Sequence, residues 1–288
     1  MSFAQALVKT LSPDPYGESG IEKIIARRRS KGLGVDILLG PNDAPKYPPR
    51  GTEERVQLIQ KIESNLPSRA SQTRAIYYLL LDYPVEATNN ESVAAYFSSE
   101  IKPSHVQTRF VQGLWHLDHN ELEQALACLC EPWEAEVANS SDFYAFIMSA
   151  LAPEPRLLTA FIDAKQPPLD TEAMNVYVDA LASQGLTFEI LQLSRTHRTS
   201  EPLKQLGQFA SNTSNRQAAL SVAQLPCDAD EWLIVQNELD KAIEKDADGL
   251  AGELTMVRAI HTGDLPTISR MKRLTDKYAL IAKGTAEL

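Results

Sequence analysis

From Gly51 onward the apolar residues recur three and four positions apart, and nearly every such run closes on proline or a small polar cluster. Val56, Ile59 and Ile62 form one face ahead of Asn65 and Pro67, and Thr73, Tyr77, Leu80 and Leu81 form the next ahead of Pro84. Val106, Phe110, Leu114 and Leu117 continue the pattern, followed by Phe143, Phe146, Ile147, Ala150 and Leu151. Such stripes belong to helices that bury one side against a neighbour. Further runs lie over 157–162, 174–181, 186–193, 203–209 and 218–222. Three longer helices end the chain, carrying Trp232, Val235, Leu239 and Ile243, then Leu250, Leu254 and Val257, then Ile268, Met271, Leu274 and Tyr278. The connections are a few residues long, so consecutive helices are spatial neighbours. No fixed repeat period recurs, and residues 33–39 are the only strand-like run. The expected fold is all-α, an irregular α-helical solenoid of stacked antiparallel hairpins.

The first fifth reads differently. Prolines and glycines crowd it, as in LGPNDAPKYPPRG over 39–51, and IEKIIARRRSKG over 21–32 is its one short helix. Residues 1–50 are therefore expected as an extended, loop-rich N-terminal arm that folds on binding. Residues 51–288 are expected as a single helical domain with C-terminal capping helices.

Charge and cysteine content narrow the function. The 38 acidic and 28 basic side chains give a net charge of −10, the wrong sign for a chain that grips phosphates, so direct DNA binding is disfavoured. Cys128, Cys130 and Cys227 are an odd number and too few for a disulfide framework, which suits a reducing compartment. The start MSFAQALVKTLSPDPYGE has neither the apolar core of a secretory signal nor the basic pattern of a mitochondrial one. No apolar block approaches the roughly 20 residues of a spanning helix, so no transmembrane segment is expected.

The densest cluster of reactive side chain types is FVQGLWHLDHNELEQALACLCEP, residues 110–132. Phe110, Leu114 and Leu117 predict the inner face of one helix, and Leu122, Ala125, Leu126 and Leu129 that of the next. Asn120 between them predicts an N-cap that accepts from the Glu123 amide in a capping box, and Pro132 ends the second helix. His116 and His119, with Asp118 or Cys128, are the metal-ligand candidates, and their spacing matches no common zinc pattern. Solvated imidazoles at a helix C-terminus are the simpler reading. Cys128 and Cys130 lie about 200° apart around a helix, so they cannot share a metal or a disulfide. Acidic neighbours also deny either thiol the electropositive setting of a nucleophile.

Phosphate loops, serine nucleophile elbows, dinucleotide glycine patterns and calcium loops are all missing from the sequence. No catalytic, cofactor-binding or metal-binding residue is assigned, and no enzyme activity is expected. Arg27, Arg28 and Arg29, with Lys31, form a basic run suited to an acidic partner or an import signal, and Arg270, Lys272 and Arg273 form another near the end. Trp133, just past Pro132, joins them as a candidate partner contact.

Leu114, Trp115, Leu117 and Asp118, followed by Ala125, Leu126, Leu129 and Pro132, resemble the W-x-L-D … A-L-x-x-L-x-x-P signature of the ELYS-like helical domain. The similarity runs from about residue 50 into the last third, and the size matches short fungal-type members. What the resemblance implies is a scaffold nucleoporin in the nucleus, at the nuclear pore complex of the nuclear envelope, associated with the Y-shaped coat. Its implied partners are other Y-complex nucleoporins, a propeller-plus-solenoid arm subunit and a small β-propeller subunit. Large animal members add a β-propeller and an R-G-R-P hook for DNA; neither pattern occurs in this sequence, so chromatin binding is not carried over. Carried onto this chain, Trp115, Leu117, Asp118, Ala125, Leu126, Leu129 and Pro132 are structural. Trp115 is expected largely buried between hairpins, with alanine there costing about 3–5 kcal/mol, and Asp118 is expected to hydrogen-bond nearby backbone. The alternatives are a soluble helical-repeat adaptor outside the pore and a metal-dependent hydrolase at His116, His119 and Asp118.

Overall fold

A computed structural model describes residues 18–40, 42–83, 92–213, 215–245 and 249–272. The fold is all-α, with no strand among the described residues. None of its helices is long and apolar enough to cross a membrane, among the described residues. The chain divides into two compact units. One holds the described residues up to Pro153 together with Ala160–Pro168; the other holds Glu154–Thr159 and the residues from Leu169 onward.

The first unit contains α1 (Glu18–Lys31), α2 (Gly34–Leu39), a 3-10 turn (Ala44–Lys46), α3 (Gly51–Asn65), α4 (Arg69–Leu81), α5 (Val93–Ile101), α6 (His105–Asp118), α7 (Leu122–Leu129), α8 (Ala135–Ala138) and α9 (Ser141–Leu151). Helix starts are written locally. Ser68 and Ser71 form a capping box at α4, and Ser104 and Gln107 form another at α6. Helix α4 is buried on every side from Thr73 to Leu80, which makes it the central rod rather than an amphipathic layer. Helix α6 packs on α2, α4, α7 and α9. Gly113 permits the closest of these approaches: a Cβ there would lie 2.6 Å from Leu129 Cγ, a separation that side chains do not tolerate.

Three readings of the sequence change here. Residues 33–39 are not a strand; Gly34–Leu39 is a helix whose Val35, Leu38 and Leu39 are buried. A short apolar run has no periodicity that separates the two states, and packing against α4 and α6 decides it. The inner face of α3 is Arg55, Leu58, Ile59 and Ile62, and Val56 is only half-buried. The α5 helix, closed between the Ser92 cap and a left-handed Lys102, had no counterpart in the apolar pattern.

Helix α10 (Pro155–Lys165) is shared between the units. The second unit continues with α11 (Thr171–Ser183), α12 (Thr187–His197), α13 (Glu201–Asn212), α14 (Arg216–Ala223), α15 (Ala229–Ile243), α16 (Leu250–Thr262) and a helix α17 over 265–272. Its hub is α13, which contacts α11, α12, α14, α15 and α16. Leu203, Leu206 and Ala210 fill that hub, and Gly207 admits α15, since a Cβ there would sit 2.8 Å from Glu238 Cβ and 3.0 Å from the Val235 carbonyl. Val235, Leu239 and Ile243 of α15 are buried, as are Leu254 of α16 and Met271 of α17. Leu274 and Tyr278 lie outside the described residues.

Candidate functional site

The residues of the 110–132 window take up separate places. Asp118 ends α6 and turns inward, with 7% of its surface exposed. Its Oδ1 accepts from the Gly34 amide at 2.8 Å, and its Oδ2 accepts from the Val35 amide at 3.2 Å and the Tyr78 hydroxyl at 2.6 Å. Those amides are the first two of α2, whose N-cap residue, Leu33, has no side chain able to accept from them. The cap that the local sequence lacks thus comes from a residue more than eighty positions away. Helix polarity favours a carboxylate at this end.

Burial opposes it. Loss of water raises the Asp118 carboxyl from its ordinary value of 3.8 to about 6, against the hydrogen bonds from Tyr78, Gly34 and Val35, which lower it. The Tyr78 hydroxyl is pushed well above its usual range by burial and by the neighbouring carboxylate. It therefore acts as a donor, not as a base. Asp82 carries a second set of bonds, accepting from Trp115 Nε1 at 2.8 Å and from the Tyr47 hydroxyl at 2.9 Å.

Trp115 is partly buried, between the core and the exposed surface. Its indole is fixed by Asp82 and covered by the His119 ring, which stacks at 3.8 Å with planes 23° apart. His119 Nδ1 lies 2.7 Å from the Trp115 carbonyl, and His116 Nδ1 lies 2.6 Å from Glu121 Oε2. The two imidazoles are thus committed to different neighbours, while Asp118 faces backbone amides. Among the described residues no three His, Cys, Asp or Glu side chains gather to hold a metal ion.

Asn120 is not an N-cap. Its φ is +62°, its amide donates to the Leu117 carbonyl, and the Glu121 amide donates to the His116 carbonyl at 2.9 Å. This is a Schellman closure of α6, in which asparagine tolerates the left-handed conformation better than other residues with a Cβ. Asparagine is favoured at both kinds of helix end, so the sequence alone placed it at the wrong one. Glu121 then precedes α7 without a side-chain cap.

The remaining motif residues fill space. Leu117, Ala125 and Leu129 are buried, Leu126 is half-buried and Pro132 is exposed after α7. Trp133 turns toward the core: its Nε1 donates to the Leu129 carbonyl, and its ring meets Phe110 at 5.2 Å and Tyr144 at 4.9 Å. Lys165 Nζ lies 4.3 Å from its centroid. The thiols of Cys128 and Cys130 are raised by burial, and that of Cys227 is pushed to about 11, so none favours its thiolate.

The basic candidates divide in the same way. Arg28 is structural, with Nε and Nη2 on the Asp36 carboxylate at 2.7–3.0 Å and Nη1 on the Tyr47 carbonyl at 2.7 Å. Arg27 lines a cleft and Arg29 is exposed. Arg270 reaches Asp240 at 3.2 Å, Lys272 is exposed, and Arg273 lies outside the described residues.

Sequence reasoning missed Tyr78, Asp82 and Gly34, the partners that give the motif its geometry. It also missed Arg74, whose buried guanidinium pairs with Glu134 at 2.5 Å and Glu136 at 3.0 Å. Only an acid placed directly after an apolar run hinted at Asp82.

Residues 21–242 match the model of a protein family described as ELYS, nuclear pore complex assembly. The chain belongs to the ELYS family. The match covers most of α1 and all of α2, ahead of the point where the sequence resemblance had begun, and most of the second unit. No curated protein matches the sequence at a significant level. ELYS is a nuclear pore assembly family, not an enzyme family. Within it, Trp115 and Asp118 of this chain hold α2 and the end of α4 to α6.

Proposed function

We propose that the chain is a non-enzymatic scaffold nucleoporin that acts at the nuclear pore complex, docking on the Y-shaped coat and supporting pore assembly and nucleocytoplasmic transport. The observation that carries this reading is the family match over 21–242, since nuclear pore complex assembly is what that family does. The geometry supports it from the other side. The side chains most suited to chemistry, Asp118, Asp82, Tyr78 and Trp115, bond to each other or to backbone and hold helices together.

The partners in this proposal are a propeller-plus-solenoid arm subunit of the Y complex and a small β-propeller subunit. Direct DNA contact is not part of it, because the chain carries a net charge of −10. Affinity purification of the tagged chain from cells tests the reading. Co-recovery of coat nucleoporins and a rim of fluorescence around the nucleus are the expected results. Recovery of other proteins without any coat subunit, with diffuse cytosolic staining, would instead favour an adaptor outside the pore.

A further inference from the structure

The first unit contains a cleft of about 550 Å³ between α1, the end of α4 and the end of α6. Its walls include Ile24, Leu33, Tyr47 and Trp115, and its floor includes Asp82 and Asp118. The floor carboxylates do not reach out: their side chains are nearly closed to solvent, and each already accepts from inside the unit. The charges able to meet a ligand are those on the rim. Lys23 and Arg27, four apart on α1, face the cleft along with Ile24, and neither pairs with a carboxylate among the described residues. Arg28 beside them is bound to Asp36, so α1 is anchored by one arginine while its neighbour stays available.

We infer that this cleft is a docking groove for an acidic peptide segment of another protein, one large apolar side chain entering beside Trp115 and flanking carboxylates meeting Lys23 and Arg27. Two observations select that occupant. The walls are apolar and aromatic, with one indole face already covered by His119, so the part of a ligand that enters beside Trp115 is apolar. Among the described residues the rim charges without a carboxylate partner, Lys23 and Arg27, are both positive on a chain whose overall charge is −10, so this rim attracts an acidic segment rather than a basic one. The inference rests on the reading that the chain works through protein contacts, and it does not require the partner to be a coat subunit.

Selection of a random phage-displayed peptide library on the purified full chain tests it without presuming a partner. The expected outcome is enrichment of sequences with one large apolar residue among aspartates and glutamates. A selected peptide, made synthetically, should bind about ten-fold more weakly to the K23E/R27E variant and more weakly in high salt. Since both residues are on the rim, the variant should keep the wild-type melting temperature. Four results would overturn the proposal: no enrichment, a basic consensus, binding indifferent to K23E/R27E, or tighter binding of a synthetic peptide of residues 1–17 than of any selected sequence. Dimerisation of the chain that K23E/R27E abolishes would also overturn it, by assigning the groove to a second copy. Coat purification reads the broader function separately, so either result can fail alone.

Discussion

The two units meet the same problem, a helix end whose backbone groups have no local partner, with opposite charges. In the first unit the Asp118 carboxylate accepts from the opening amides of α2. In the second, the Arg258 guanidinium of α16 donates to the carbonyls of Ala223, Leu225 and Cys227 at and beyond the end of α14, at 2.6–3.3 Å. Each sign suits the polarity of the helix end it serves. The difference is depth. Arg258 is half-buried with its guanidinium 4.8 Å from the Trp232 ring, whereas Asp118 is closed to water. A charge near solvent closes a helix end at little cost, while a buried one costs desolvation that only complete hydrogen bonding offsets.

Breaking that contrast at its strongest point means Asp118→Ala. It leaves two amides and the Tyr78 hydroxyl unsatisfied inside the first unit, and we expect a loss of about 3–5 kcal/mol in denaturant unfolding. Trp115→Ala comes next. The indole is half-buried, so about 2–3 kcal/mol is expected, at or below the lower end of large-to-small core changes. A result near zero would show that the Asp82 bond does not hold α6 to α4.

The units should respond alike where they are built alike. Gly113→Ala and Gly207→Ala each insert a Cβ where neighbours stand 2.6–2.8 Å away. Each should destabilise by about 1–2 kcal/mol after the gain in helix propensity is counted. Arg258→Ala should cost about 1 kcal/mol, because water can replace its donors at a half-buried site. A cost equal to that of Asp118→Ala would erase the distinction between the two ends.

Much of the fold was legible because amphipathic stripes and punctuation are local. Phe110, Leu114 and Leu117 lie inside as their spacing demands, as do Phe143, Ile147 and Leu151. What was hidden depends on distance along the chain. Helix α2 looks like a strand until α4 and α6 are present to pack on it, and Asp118 reveals its role only when Gly34 arrives beside it. Asn120 was assigned to the start of α7 although it closes α6, because the same side chain suits both ends of a helix. The histidines, which carry most of the chemical suggestion in the window, are taken up by Glu121 and by the Trp115 ring.

The central claim is that the most unusual acid of the family motif is a buried structural cap, and its titration tests that most directly. The folded-state value of about 6 lies above the ordinary 3.8, so the native state binds the proton more tightly than the unfolded chain. Stability from this group is therefore fully present below about pH 4, falls as pH rises toward 6, and is flat above, a span worth about 3 kcal/mol. Melting temperatures from pH 5 to 7 should fall for the wild-type chain, and Asp118→Asn should remove that fall. Identical pH profiles for the two proteins would contradict the account.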